Sequence, residues 1–240
     1  MTQPSTLKAY DEWHGRLAVD RAADAPWHRL VKVHLRPESD IAGQRVLEIG
    51  CGRGGFSLWL ATQARRPRLL VSADLSTVAV AKGKAALLQH HVDAPRWEVA
   101  DIESIPHARG TFDTVISCET IEHVPDPRRA IRELARVLRP GGRLFLTTPN
   151  YLGVFGLYRG YLRIRGRRYT EEGQPINHFT TLPSTLRWVT EAGLQVLAVD
   201  GVGHYVPIPG RQPPRIYFLD RMSFLTRWLA LHSLVVAGKP

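Results

Sequence analysis

The chain has 240 residues, with 32 Lys and Arg against 22 Asp and Glu, a formal net charge of +10. That length holds one α/β domain with a substantial core. The charge points to an acidic partner (nucleic acid, an anionic lipid surface or a phosphorylated substrate) unless it reflects arginine-rich composition alone. No apolar run reaches the ~18–20 residues of a membrane span. Lys8, Asp11, Glu12 and Arg16 interrupt the N-terminus, where a signal peptide would be apolar. Two cysteines cannot build a disulfide framework, so a cytoplasmic protein with reduced thiols is expected.

Residues 5–36 read as two helical segments divided near Ala25-Pro26. They carry Tyr10, Trp13, His14, Trp27 and His28, either as an aromatic lid or as packing against a sheet. Residues 1–40 are thus assigned as a helical cap on a single domain spanning 1–240. Val46–Ile49 follows as a buried parallel strand whose one acid is Glu48. Gly50, Gly52, Gly54 and Gly55 come next, and Phe56–Ala61 begins a helix. A strand–glycine loop–helix unit lets bare backbone approach a flat, polar ligand. The run is not G-x-G-x-x-G, because Ser57 stands where the third glycine would be, and it lacks the Lys-Ser/Thr of a P-loop. Glu48 argues against a bound pyrophosphate and suits a cationic ligand instead.

Leu69–Asp74 is the second strand, and Asp74 lies 22 residues after Gly52, near the spacing at which a doubly wound fold places an acid on ribose hydroxyls. Arg96–Asp101 is a third short strand, and Thr111–Cys118 a fourth. Arg136–Asn150 gives a helix end, a Pro-Gly-Gly turn and a fifth strand. Residues 150–180 break the rhythm with Tyr151, Tyr158, Tyr161 and five arginines within Arg159–Arg168, and read as a substrate-facing insertion. Thr181–Ala192 resumes as a helix with Leu182, Leu186 and Val189 on one face, ended by Gly193. Leu194–Val199 is a sixth strand, Arg215–Ala230 an amphipathic helix carrying Phe218, Met222, Leu225 and Leu229, and His232–Ala237 the last strand.

The fourth strand runs into Cys118-Glu119-Thr120-Ile121-Glu122-His123-Val124-Pro125-Asp126-Pro127. Open α/β sheets place ligands at such strand ends. Three readings stand. His123 is a general base for a hydroxyl acceptor; or Glu119, Glu122 and His123, with His178 as a fourth ligand, bind Mg²⁺, Mn²⁺ or Zn²⁺; or Glu122 caps the next helix and His123 packs beside it.

The segment Glu48-Ile-Gly50-Cys-Gly52, with acids at the following strand ends, resembles motif I and its sequels in the class I S-adenosylmethionine (AdoMet)-dependent methyltransferases. The resemblance covers roughly residues 40–150. It implies a Rossmann-like α/β fold: seven strands, mostly parallel, helices on both faces, strand seven antiparallel. It implies AdoMet held by Glu48, Gly50, Cys51, Gly52, Asp74, Leu75, Asp101, Ile102 and Cys118. ETIEHVPDP is similar to the E-x-x-E-H signature of the ubiquinone-pathway O-methyltransferases and of the small-RNA 2′-O-methyltransferases, where two Glu, the His and a downstream His coordinate a metal. His178 matches that downstream His only loosely.

The expected activity is AdoMet-dependent O-methylation of a small acceptor (secondary metabolite, glycan or phenol), with Glu119, Glu122 and His123 as catalytic residues. One alternative is a membrane-associated enzyme acting on a prenylated quinone precursor or lipid-linked substrate. Aromatic and basic residues in the insertion suit an anionic or amphiphilic acceptor and peripheral membrane contact. The other is an RNA 2′-O-methyltransferase, disfavoured because no RNA-binding module is attached.

Overall fold

Alternation of apolar strands with amphipathic helices produces one seven-stranded sheet in the computed structural model, which describes residues 4–19, 23–88, 95–167, 174, 176–206, 208, 214–222 and 226–240. The strands are β1 (Arg45–Ile49), β2 (Leu69–Asp74), β3 (Arg96–Val99), β4 (Phe112–Cys118), β5 (Leu138–Pro149), β6 (Gln195–Val202) and β7 (His232–Gly238). Their spatial order is β3-β2-β1-β4-β5-β7-β6. Every pairing is parallel except those of β7, which runs antiparallel to both β5 and β6. The described helices are α1 (Pro4–Arg16), α2 (Pro26–His34), α3 (Gly55–Ala61), α4 (Thr77–Leu88), α5 (Pro127–Val137), α6 (Val154–Ile164), α7 (Leu182–Glu191) and α8 (Tyr217–Arg221).

Successive residues of a strand face opposite sides, and here both sides are apolar. Leu47, Val71, Val115, Leu144 and Val235 join one core with Ile131 and Leu134 of α5 and Val189 of α7. Val46, Leu70, Ile116, Phe145 and Leu234 join the other with Leu30 and Val31 of α2 and Phe56 and Leu60 of α3. Such doubly covered strands read as continuous hydrophobic runs, which is why the sequence exposes them.

Four elements differ from the sequence reading. β3 ends at Val99, and Asp101 instead sits in a turn bridged to Ser104. The Pro-Gly-Gly turn is a bulge inside β5: Leu138 pairs with Phe112, and the next pair is Arg143 with Thr114. Gly142 is required there, since a Cβ would lie 2.8 Å from the Asp113 carbonyl oxygen. Of the helix expected over Arg215–Ala230, Tyr217–Arg221 and Thr226 are helical and 227–229 form a turn, while Leu225 lies outside the described residues. The N-cap of α5 is Asp126, which accepts from the amides of Arg128 and Arg129, so Glu122 has no capping role.

Because Asp126→Ala removes both cap hydrogen bonds of α5, it should cost about 1 kcal/mol of stability. Urea unfolding would check it; an unchanged midpoint would contradict the cap.

Candidate active site

The loops after β1, β2 and β4 meet at one edge of the sheet, where a doubly wound fold opens a crevice. Gly50 has a positive φ of 75°, and a Cβ there would overlap the Thr120 hydroxyl. Only glycine permits both this conformation and this contact. The Gly50 and Cys51 amides donate to the Ala73 carbonyl at 2.9 and 3.0 Å. Asp74 then clamps the loop: its Oδ2 accepts from Gly52 N at 2.8 Å and its Oδ1 from Ser76 N at 2.9 Å.

Beneath this edge lies a cavity of about 640 Å³. Seven of the nine expected cofactor residues line it: Gly50, Cys51, Gly52, Asp74, Leu75, Ile102 and Cys118. Glu48 and Asp101 are not among the lining residues. Asp101 Oδ1 accepts from Glu103 N at 2.9 Å and shapes the turn behind Ile102. Glu48 is buried below the loop, where Ser57 Oγ donates to it at 2.5 Å. Burial pushes its carboxyl up to about 8, in spite of that hydrogen bond. Burial also pushes the thiols of Cys51 and Cys118 well above their ordinary range, so neither is a ready nucleophile.

Tyr10, Trp13 and His14 of α1 and Trp27 and His28 of the α2 turn complete the roof. They line the cavity and pack at once: Tyr10 and His14 are buried, and His28 stacks on Phe56 at 4.9 Å. α1 is fastened at two points to α4. Asp11 accepts from Ser76 Oγ, Thr77 Oγ1 and Val78 N at 2.5, 3.1 and 3.3 Å. Lys82 Nζ donates to the carbonyls of His14, Gly15 and Leu17 at 2.9, 2.6 and 2.9 Å. His14 sits 4.0 Å from Asp74, yet burial outweighs that carboxylate and lowers the imidazole pKa.

The E-x-x-E-H turn forms the opposite wall. Glu119 adopts a left-handed φ of 46°, rare for a residue with a side chain, and its amide donates to the Thr147 carbonyl at 3.0 Å. Glu119 and His123 line the cavity; Glu122 and His178 do not. Glu122 is fully buried, accepts from Thr148 Oγ1 at 3.1 Å, and lies 3.5 Å from His123 Nε2. His123 Nδ1 donates to the Ile176 carbonyl at 2.7 Å. His178 Nε2 donates to the Val124 carbonyl at 2.7 Å, and its amide donates to the Glu122 carbonyl at 2.8 Å.

The four residues expected to hold a metal therefore do not converge. His178 spends Nε2 on backbone, and among the described residues no group of three or more His, Cys, Asp or Glu is arranged to hold an ion. The donor set does not fit a metal in this arrangement, and no step is routed through one.

Several cavity residues escaped the sequence reading, among them Arg53, Gln174, Leu231 and His232. His232 lines the wall beside Glu119, whose Oε2 accepts from its Nδ1 at 2.9 Å. The usable signal was topological: in an antiparallel β7 the first residue falls at the edge where β5 ends, and His232 indeed pairs with Pro149.

The buried Glu48 carboxyl makes stability pH-dependent. Its folded-state pKa is raised, so the folded chain binds the proton more tightly. That stability is fully present below about pH 4.5 and is lost as pH rises towards about 8. Glu48→Gln should flatten the decline of Tm across that window, and melting curves with an unchanged slope would show that Glu48 does not cause it.

Residues 47–146 match the methyltransferase domain family. The chain is 34% identical over 188 residues to a ubiquinone biosynthesis O-methyltransferase of Xanthomonas euvesicatoria pv. vesicatoria, covering 74% of each chain. It is 30% identical over 194 residues to the Coxiella burnetii protein of that name, covering 76% of this chain and 78% of the other. In fold it is similar to an S-adenosylmethionine-dependent methyltransferase of Mesorhizobium loti (TM-score 0.63, 18% identity, 91% and 100% of the chains). It is equally similar to the [4+2]-cyclase SpnF (TM-score 0.63, 20% identity, 94% and 84%), so fold alone does not name a reaction. The domain match and the identity across three quarters of the chain do: the protein belongs to the class I S-adenosylmethionine-dependent methyltransferases.

Proposed function

We propose that the protein methylates a hydroxyl of a small aromatic acceptor, with His123 taking the hydroxyl proton. The observation that carries this is His123 at the cavity wall, with the Glu122 carboxyl buried behind the lining 3.5 Å from its Nε2. Because His123 Nδ1 donates to the Ile176 carbonyl, the lone pair resides on Nε2, the nitrogen that faces Glu122. A fully buried carboxylate beside it stabilises the imidazolium formed when the proton arrives. AdoMet, when bound, supplies a methyl group on an already activated sulfonium, so the chain contributes chiefly alignment and proton removal. Tyr10, Trp13, Trp27 and Phe56 give the cavity aromatic walls suited to a planar acceptor. The relatives named for ubiquinone biosynthesis support a phenolic hydroxyl as the acceptor.

The cofactor assignments are part of the proposal. Gly50, Cys51, Gly52, Leu75, Ile102 and Cys118 contact AdoMet, Asp74 takes its ribose, and Glu48 and Asp101 support the two loops from behind.

A second reading, in which the acceptor is collected from a membrane surface, is supported by exposed apolar side chains on two helices. Leu157 and Ile164 of α6 are 77% and 86% exposed, and Tyr217 and Phe218 of α8 are 69% and 67% exposed. The start of α6 packs on the Leu229 carbonyl through Gly153, in the segment that follows α8. Arg163, Arg165 and Arg167 add exposed cationic charge. Apolar side chains rimmed by arginine suit an anionic bilayer interface. No described helix is long and apolar enough to span one. The setting we propose is a cytoplasmic enzyme whose insertion at 150–180 faces the acceptor and touches a membrane. The RNA reading draws on the +10 charge and on the E-x-x-E-H similarity.

Calorimetry with AdoMet and mass spectrometry of products from a panel of phenols test the main reading. Asp74→Ala should weaken AdoMet binding by about 1–3 kcal/mol. His123→Ala should keep AdoMet binding but slow transfer ~10²–10⁴-fold; a fully active variant would remove His123 from the mechanism. For the membrane reading, vesicles containing phosphatidylglycerol should pellet the wild-type protein and leave an Ile164→Glu, Phe218→Glu double variant in the supernatant. Equal pelleting of both would sink it.

A further inference from the structure

The wall opposite Asp74 holds a second imidazole–carboxylate pair that the mechanism above does not use. His232 is the first residue of β7, lines the cavity, and is only 9% exposed. Its Nδ1 lies 2.9 Å from Glu119 Oε2. The ring is held on its other sides as well. Trp27 packs at 5.0 Å between centroids, and Tyr205 meets it edge-on at 6.2 Å. Gly203 supplies the remaining room: a Cβ there would stand 2.9 Å from the imidazole Cδ2.

Backbone strain points the same way. Glu119 occupies a left-handed conformation at the end of β4, an arrangement that persists only where the surroundings enforce it. What it gains is a carboxylate aimed at one nitrogen of one cavity imidazole. A carboxylate accepting from Nδ1 selects the tautomer with the proton on that nitrogen and the lone pair on Nε2.

The sheet order gives the pair its side of the cavity. β2, with Asp74 at its end, lies on one side of β1; β4, β5 and β7 lie on the other. The Glu119–His232 pair thus belongs to the half away from the expected ribose position. We propose that His232 is an acceptor-binding residue, and that Glu119 is its positioning residue. In this role His232 accepts a hydrogen bond from a polar group of the acceptor other than the hydroxyl that reacts, and so orients the acceptor for attack. The proposal rests on the O-methylation reading.

The test compares catechol, which has a second hydroxyl, with phenol, which has none. His232→Ala should raise the catechol KM about tenfold, the size of one lost hydrogen bond. It should leave kcat within a few-fold and AdoMet affinity unchanged, and the phenol KM should not move. His232→Gln, whose amide oxygen can still accept, should recover part of the loss and guards against a folding defect. Nitrogen-15 NMR of the wild-type imidazole should report the Nδ1–H tautomer, kept in Glu119→Gln and lost in Glu119→Leu. An unchanged catechol KM in His232→Ala, or an Nε2–H tautomer in the wild type, would overturn the proposal alone. Failure of the wild type to methylate either phenol would overturn the O-methylation reading and take this proposal with it.

Discussion

The contact between the Gly50 backbone and the Thr120 side chain is the constraint on which the site depends. It presses the loop after β1 against the loop after β4, two segments seventy residues apart that share only a strand pairing below them. The Asp74 clamp fixes the first loop from the β2 side. Thr147 fixes the second from the β5 side, through hydrogen bonds to the Glu119 amide. Four strand ends are thereby tied into one rim, and the cavity walls inherit the rigidity of the sheet. Placement of this kind is what methyl transfer needs, since the reaction gains most from alignment.

The second organising feature is the stitching of residues 176–178 to residues 122–124. Ile176 accepts from the His123 ring, His178 donates from its amide to the Glu122 carbonyl, and its ring donates to the Val124 carbonyl. Arg159 of α6 reaches the same strip through the Asn177 side chain at 2.5 Å, while lying over the Tyr151 ring at 4.1 Å. The segment after β5 is therefore tied directly to the E-x-x-E-H turn. The two histidines expected to share a metal serve this stitching through Nδ1 of His123 and Nε2 of His178.

Much of the fold was legible because strands buried on both faces leave uninterrupted apolar runs, and because Gly50 and Gly52 advertise their backbone requirements. Seven of the nine residues that the family resemblance assigned to the cofactor line the cavity. Glu48 was read correctly as unusual, but periodicity could not tell a residue that faces a ligand from one buried one layer below it. Asp101 failed as a strand end because β3 is only four residues long and its turn begins early. His232 was hidden for a different reason: nothing within HSLVVA marks it, and its importance arises only from the reversal of β7 against β5. The metal set was legible as a motif but not as geometry, since ring direction depends on hydrogen bonds made to distant backbone.

The fastening of α1 has a consequence for timing. Its two anchors, Asp11 on α1 itself and Lys82 on α4, act through polar hydrogen bonds, with Tyr10 reaching across to the His123 carbonyl at 2.8 Å. Bonds of that sort exchange readily with water, so the helix can part from its mounting without disturbing either core. Entry and departure of a large ligand then occur by local opening of the roof, on a clock of its own. The pace of a full cycle is set by whichever is slower, that opening or the chemistry beneath it.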